Sequence, residues 1–448
     1  MTQHRSPKRH RRSEPQVIGA SEVEVEISRI GEQGDGIAET RLGRFYVPLT
    51  TTGDRVRVRR LGHRGDGFAA ALVAVLSPGP GRAEPPCPHF GACGGCILQH
   101  LADEHYAAWK TNRVTAALAR VGLANCPIGP LVRTPPGGRR RTTFAVSRQN
   151  EKPNVRLGFK RRGSHSVVDL AVCRVLDPLI TSLLTPLRGL LDEILPPNGR
   201  ASVTVTRLDG GLDVLLEGNL VADAQGRERL ARFALEADLA RLSWRPEGGG
   251  PVEPLALRRP PRAVFGGVPV AVVAGGFLQA SSAGEAALVA AVQEAIAAAS
   301  PVADLFSGSG TFALPLARAG AGVHAIDADA AAVEALLAAA RTSTIASRLT
   351  CERRNLFTRP VAASELARFA AVVIDPPRAG ARAQAEALAG SAIPVVVYVS
   401  CNPTTFARDA RLLIGGGFRL EKVMPVDQFL WSAHVELAAV FRQQASKK

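Results

Sequence analysis

Asp304-Leu305-Phe306-Ser307-Gly308-Ser309-Gly310-Thr311 stands at the end of an apolar run, 302–306, and just before a helical pattern. Glycines at such a turn let backbone N–H groups approach a ligand at a helix N-terminus, so the stretch reads as a nucleoside-cofactor loop. Gly308, Gly310 and Ala313 also satisfy the dinucleotide fingerprint, so the loop alone leaves a nicotinamide-dependent oxidoreductase open. Working outward, apolar runs at 323–326, 370–374 and 395–399 alternate with helical patterns, among them the alanine-rich 330–340. That alternation predicts a Rossmann-like α/β domain over 265–448, a parallel sheet covered by helices on both faces. Asp327, closing the second strand, is placed to bind ribose hydroxyls.

The later strand ends separate the alternatives. Asp375-Pro376-Pro377-Arg378 builds a rigid, exposed turn that offers a carboxylate and backbone carbonyls to a planar base, which a dehydrogenase does not need. Amino-group methyltransferases use a similar turn but usually follow it with an aromatic residue, where this chain has Arg378. Ser400-Cys401-Asn402-Pro403-Thr404-Thr405 ends the 395–399 run, and a helix begins near Thr404. Cys401 therefore lies beside a helix N-terminus, which favours the thiolate, and at a carboxyl strand end, where open α/β sheets bind ligands. Asp427-Gln428-Phe429-Leu430-Trp431-Ser432-Ala433-His434-Val435-Glu436 supplies two candidate bases, Glu436, which is preferred, and His434.

Toward the N-terminus, Val23, Val25 and Ile27 alternate with glutamates, and short apolar runs at 45–47, 56–58 and 72–75 are separated by turns such as Gly34-Asp35-Gly36. Period two with these turns predicts a small antiparallel barrel over 16–78, closed by a Pro- and Gly-rich linker at 77–86. Residues 1–15, with Arg5, Lys8, Arg9, Arg11 and Arg12, read as a basic tail. Between barrel and C-terminal domain, 79–264 reads as a central α+β domain with a cysteine cluster, a helix near 104–120, and the basic triplets Arg139-Arg140-Arg141 and Lys160-Arg161-Arg162.

The 448-residue length calls for two or three cores, and 46% hydrophobic with 21% charged residues is the balance of a folded chain. A formal net charge of +15 points to polyanions as partners, nucleic acid or an anionic surface. No apolar run has the length of a bilayer span, and no apolar signal core follows the basic start, so a cytoplasmic monomer with no membrane partner is expected. Three of the seven cysteines crowd between Cys87 and Cys96, which is not the spread of a secreted disulfide framework and suits metal binding or catalysis.

With these residues in place the chain resembles the uracil-C5 RNA methyltransferases, and more closely the iron-sulfur-containing 23S ribosomal RNA uracil methyltransferases. The motifs DLFSGSGTF, IDPPRAG, VSCNPTTFARD and DQF followed by HVE occur in that family's order, and the likeness spans nearly the whole chain. The resemblance implies a TRAM-like RNA-binding barrel, S-adenosylmethionine as methyl donor and RNA as partner. 23S rRNA is the first choice of substrate and transfer RNA the alternative. It implies Cys401 as nucleophile, Glu436 as proton-abstracting base, and Gln279, Phe306, Thr311, Asp327, Asn355 and Asp375 around the cofactor and target base. It also supplies Cys173 as the distant fourth partner of Cys87, Cys93 and Cys96 in a 4Fe-4S cluster, where the donor set alone leaves zinc open. Cys126 and Cys351 receive no role. The chain departs from the family pattern at Ser281, where Asn is usual, at Ser307 for Cys, at Asp327 for Glu, and at Leu430-Trp431 for a Pro-containing pair. In the chemistry implied, a thiolate adding to carbon 6 of uracil makes carbon 5 nucleophilic enough to take a methyl group. The target uridine must leave its stack to be reached. A non-catalytic RNA-binding protein would have no use for Cys401 and Glu436 together.

Overall fold

The computed structural model describes residues 22–149, 155–220 and 223–444, so the basic tail 1–15 lies outside the described residues. The chain divides into two compact units.

The first unit, Met1–Tyr106 with Lys160–Ser166, holds a six-stranded sheet in the order Glu22–Glu26, Arg55–Arg64, Gly67–Ser77, Gly43–Val47, Gly36–Thr40, Arg29–Ile30. Period-two alternation explains it: Val25, Val56, Val58, Phe45 and Val47 turn inward to one core, while Glu22, Glu24 and Glu26 face Arg59, Arg57 and Arg55 across the outer register. The stretch carrying Cys87, Cys93 and Cys96 follows in turns, with the Gly94 N–H donating to the Lys160 carbonyl at 3.0 Å. Arg162 of the second basic triplet pairs with buried Asp35.

The second unit, Ala107–Phe159 with Val167–Lys448, contains a seven-stranded sheet that includes Arg141–Arg148 and Arg200–Leu208, and an eight-stranded sheet that carries the site. The order of the latter is Leu349–Arg353, Val323–Asp327, Val302–Leu305, Ala371–Ile374, Val395–Ser400, Glu436–Gln443, Phe418–Asp427, Val132–Arg133. The first five strands run parallel. Their apolar runs split residue by residue between two cores. Ala303, Leu305, Val372, Ile374, Val396 and Tyr398 pack with Phe406 and Leu413 on one face, and Val302, Val373, Val395 and Val397 with Leu288, Val292 and Leu336 on the other. Burial on both faces is why these strands read as continuous apolar runs.

The sheet is mixed, which corrects the all-parallel expectation. Glu436–Gln443 runs antiparallel to both Val395–Ser400 and Phe418–Asp427. The reason is the short connection 428–435, since a parallel return needs a crossover of a dozen or more residues. Because this strand runs backward, its first residue, Glu436, falls at the edge where the parallel strands end. The connection is pinned from below by Lys110 of the helix Asp103–Ala119. Its fully buried ammonium donates to Asp427 Oδ1 at 2.7 Å, the Phe429 carbonyl at 3.1 Å and the His434 carbonyl. Among the described residues no helix is long and apolar enough to cross a membrane.

Candidate functional site

A cleft of about 570 Å³ opens at the carboxyl ends of the parallel strands, and Gln279, Phe306, Thr311, Asp327, Asn355, Asp375, Cys401 and Glu436, all singled out in the sequence, line it. The glycine loop forms its floor. Gly310 has φ +96°, and a Cβ there would stand 2.5 Å from Leu336 Cδ1, so only glycine fits; a Cβ on Gly308 would meet open space. Asp327 stiffens the loop, accepting from the Gly308 N–H at 2.9 Å and the Asp329 N–H at 2.8 Å. Beneath the loop Ser307 Oγ is buried with no hydrogen-bond partner, a buried polar atom of the kind a bound ligand or water satisfies. Phe306 and Phe357 bring their rings within 5.4 Å at one side of the cleft.

Groups of both charge signs line the cleft. Asp327, Asp375 and Glu436 line the cleft, and Asp304 lies fully buried under it, its carboxyl raised well above the ordinary range by burial and by Asp375. Arg139, Arg141 and Arg378 line the same cleft, and Asp327 beside the glycine loop is a carboxylate that can accept from ribose hydroxyls.

The catalytic corner follows from strand direction. Ser400 pairs with Leu437, so Glu436 stands beside Cys401, which the turn into the helix Pro403–Gly415 presents to the cleft. Asn402 caps that helix, accepting from the Thr404 N–H at 3.1 Å, with Pro403 in its first turn. Burial raises Glu436 to about 8, with the Asp375 charge adding to it, and raises Asp375 to about 7. Burial first, then Glu436 and Asp375, push the Cys401 thiol up to about 12. Burial and the two neighbouring carboxyl groups thus oppose the lowering that the helix N-terminus favours.

His434, the other candidate base, is placed differently from Glu436. It precedes the strand instead of sitting on it, is absent from the cleft lining, and accepts from Arg378 at 3.0 Å through Nδ1. Burial, then Arg378, holds it down at about 4. Ser281, the departure from the family's Asn, caps the helix Ser282–Ile296 by accepting from the Gly284 N–H at 3.0 Å. Serine and asparagine are interchangeable in that task. Of the first basic triplet, Arg139 and Arg141 line the cleft and Arg140 turns inward to the Gln279 carbonyl and Glu285. Sequence reading gave no role to Phe277, 70% exposed at the cleft, to Phe429 in the lining, or to buried Gln428, although the last two lie in the quoted DQF motif.

The four cysteines of the expected cluster divide between the two units. Cys87, Cys93 and Cys96 belong to the first unit and Cys173 to the second; all are half-buried and outside any disulfide. Among the described residues no three His, Cys, Asp or Glu side chains come together as metal ligands, so the described geometry lends the cluster no support.

A glycine loop on a mixed sheet, a carboxylate-lined cleft and a cysteine at its edge define an S-adenosylmethionine-dependent methyltransferase. Residues 271–444 match the family described as tRNA (uracil-5-)-methyltransferase. Over 93% of its length the chain is 43% identical to an uncharacterized RNA methyltransferase of Brucella suis, covering 97% of that protein. It is 33% identical to the 23S rRNA (uracil(1939)-C(5))-methyltransferase of Chromohalobacter salexigens, covering 92% of this chain and 87% of the other. The crystal structure of Pyrococcus abyssi tRNA (uracil-54, C5)-methyltransferase with S-adenosyl-L-homocysteine superposes with a TM-score of 0.73 at 22% identity, over 94% of this chain and all of that one, a likeness of fold. The chain belongs to the RNA (uracil-C5)-methyltransferase family.

Proposed function

We propose that the protein methylates carbon 5 of a uridine in 23S rRNA through a transient bond from Cys401 Sγ to carbon 6 of the ring, in the cytoplasm. The observation that carries the reading is the convergence of Cys401, Glu436 and Asp375 on one cleft with the glycine loop. S-adenosylmethionine supplies an electrophilic methyl group there, with Gln279, Phe306, Thr311, Asp327 and Asn355 as its surroundings and Asp375 facing the base. Cys401 releases its proton to solvent through the open cleft and its sulfur adds to carbon 6, sending electron density to the carbon 4 oxygen; carbon 5 then takes the methyl group, with the neutral thioether S-adenosylhomocysteine as the leaving group. Carbon 5 then carries both the methyl group and its original hydrogen. Glu436 removes that hydrogen as a proton; the C–H pair restores the ring double bond, and the carbon–sulfur bond breaks to return the thiolate.

The choice of 23S rRNA rests on the 33% identical relative that acts on it, with transfer RNA as the alternative. Mass-spectrometric mapping of 5-methyluridine in both RNAs from a deletion strain tests it. We expect one ribosomal uridine to lose its methyl group; an intact ribosomal pattern with a loss in transfer RNA overturns the substrate.

Cys87, Cys93, Cys96 and Cys173 enter this reading as ligands of a 4Fe-4S cluster that takes no part in the reaction. The support is their donor chemistry together with the family resemblance, since four thiols suit such a cluster. Anaerobically purified protein is expected to be brown with iron and sulfide, and a colourless sample holding stoichiometric zinc overturns the assignment.

A further inference from the structure

The polar groups around Glu436 form a chain whose polarity is fixed by one backbone donor. The Ala280 N–H can only donate, and it donates to Gln428 Oε1 at 3.1 Å. The Gln428 amide nitrogen must therefore face the other way, and it spends its two hydrogens on Glu436 Oε2 at 2.8 Å and Gln279 Oε1 at 2.7 Å. That in turn directs the Gln279 amide nitrogen to Asp375 Oδ2 at 3.1 Å. No amide in the chain can flip without placing two donors or two acceptors face to face.

Gln428 itself does not reach the cleft. It is 2% exposed, outside the lining, and locked in place by tight packing, since a Cβ on Gly284 would stand 2.7 Å from Gln428 Cβ. Its backbone continues directly from Asp427, which Lys110 holds. The side chain is thus held at both ends while touching neither Cys401 nor the space above it.

We propose that Gln428 is a positioning residue for the proton-abstraction step: by occupying Oε2 of Glu436 it leaves Oε1 as the oxygen aimed at the hydrogen on carbon 5. The inference rests on the reading of Glu436 as the base. In that step Oε1 takes the proton, the C–H electron pair becomes the ring double bond, and Cys401 leaves as thiolate. Without the amide, Glu436 loses the donor that favours its ionised form, and its proton affinity rises. Release of the methylated RNA should slow, and formation of the carbon–sulfur bond should not.

The test compares full-length Gln428→Met, Gln428→Glu and Glu436→Gln with the wild type on an RNA transcript carrying the target uridine, in single turnover. The readouts are the fraction of RNA held covalently on denaturing gels and the pH profile of its release. We expect both Gln428 variants to accumulate methylated adduct, roughly tenfold above wild type, and the rising limb of release to move about one pH unit upward. The shift should be larger for Gln428→Glu, which adds a second carboxyl group. If Glu436→Gln traps adduct while both Gln428 variants release RNA at the wild-type rate and pH dependence, the positioning role is overturned. A uniform loss of adduct formation and release with an unmoved pH limb marks a purely structural residue and overturns it as well. If Glu436→Gln traps nothing, the base assignment falls, and the role of Gln428 with it.

Discussion

Cys401→Ala is expected to abolish methylation of RNA, by roughly 10⁴-fold or more, while S-adenosylhomocysteine binding stays within a few fold of wild type. The split follows from position: Cys401 follows the strand Val395–Ser400 beside Glu436, two strands away from Val302–Leu305, which leads into the loop of Gly308 and Gly310 held by Asp327. Removing that sulfur leaves the contacts of the glycine loop in place. Cys401→Ser should fare little better, because a hydroxyl gives up its proton far less readily than a thiol. The pH dependence adds a second check. A helix N-terminus is worth up to about 2 kcal/mol to a partly buried anion, yet burial, Glu436 and Asp375 together push the thiol up to about 12. For an acid raised in this way the thiolate is the minor form at neutral pH and grows tenfold per pH unit. Glu436, raised to about 8, likewise gains its basic form as pH rises. Turnover should climb from pH 7 through pH 9, as a pH–rate profile under saturating donor will show. Measurable turnover in the alanine variant would exclude the thiol mechanism.

How much of this was readable in advance depended on the range of the interactions. The parallel strands were legible because burial on two faces writes an apolar run into the chain, and the two cores sort Val372 from Val373 and Val396 from Val397 as a pleated strand requires. The cleft was legible because each of its residues sits at a strand end in a local motif. The direction of Glu436–Gln443 was not, because a strand buried on both faces reads the same either way; only the brevity of 428–435 encodes it. Gln428 escaped for a different reason. Its partners Gln279 and Ala280 are 149 and 148 positions away, and nothing local distinguishes an amide that orients a base from one that faces water. The opposition to the helix N-terminus at Cys401 could not be read from the sequence, because the helix start is a local feature and the carboxyl groups of Glu436 and Asp375 come from other strands. The crowding of Cys87, Cys93 and Cys96 was plain in the sequence, because the three lie within ten residues.

Glu436→Gln is expected to convert the enzyme from one that turns over to one that stops with RNA attached. The substitution keeps the shape of the side chain and can still accept from Gln428, so the corner should fold as before. What it removes is basicity. Attack by Cys401 and methyl transfer need no proton acceptor at carbon 5, so both should proceed, and the reaction should halt at the ring that carries a methyl group, a hydrogen and a sulfur. Loss of a general base costs typically 10²–10⁴-fold, and that loss should fall on release alone. Denaturing gels should show a protein–RNA band whose methyl content, followed with labelled donor, is one per adduct. The methyl count discriminates between mechanisms. An adduct without methyl would mean that Glu436 acts before transfer, for instance by taking the Cys401 proton, which its position beside that thiol permits. Wild-type release would mean that another group takes the proton. His434 is a poor replacement, because Arg378 already occupies its Nδ1 and burial holds it at about 4. Asp375 is the better one, being a cleft-lining carboxyl group raised to about 7 and joined to Glu436 through the two glutamines. Residual release in Glu436→Gln should therefore disappear in the double variant with Asp375→Asn, provided donor binding survives.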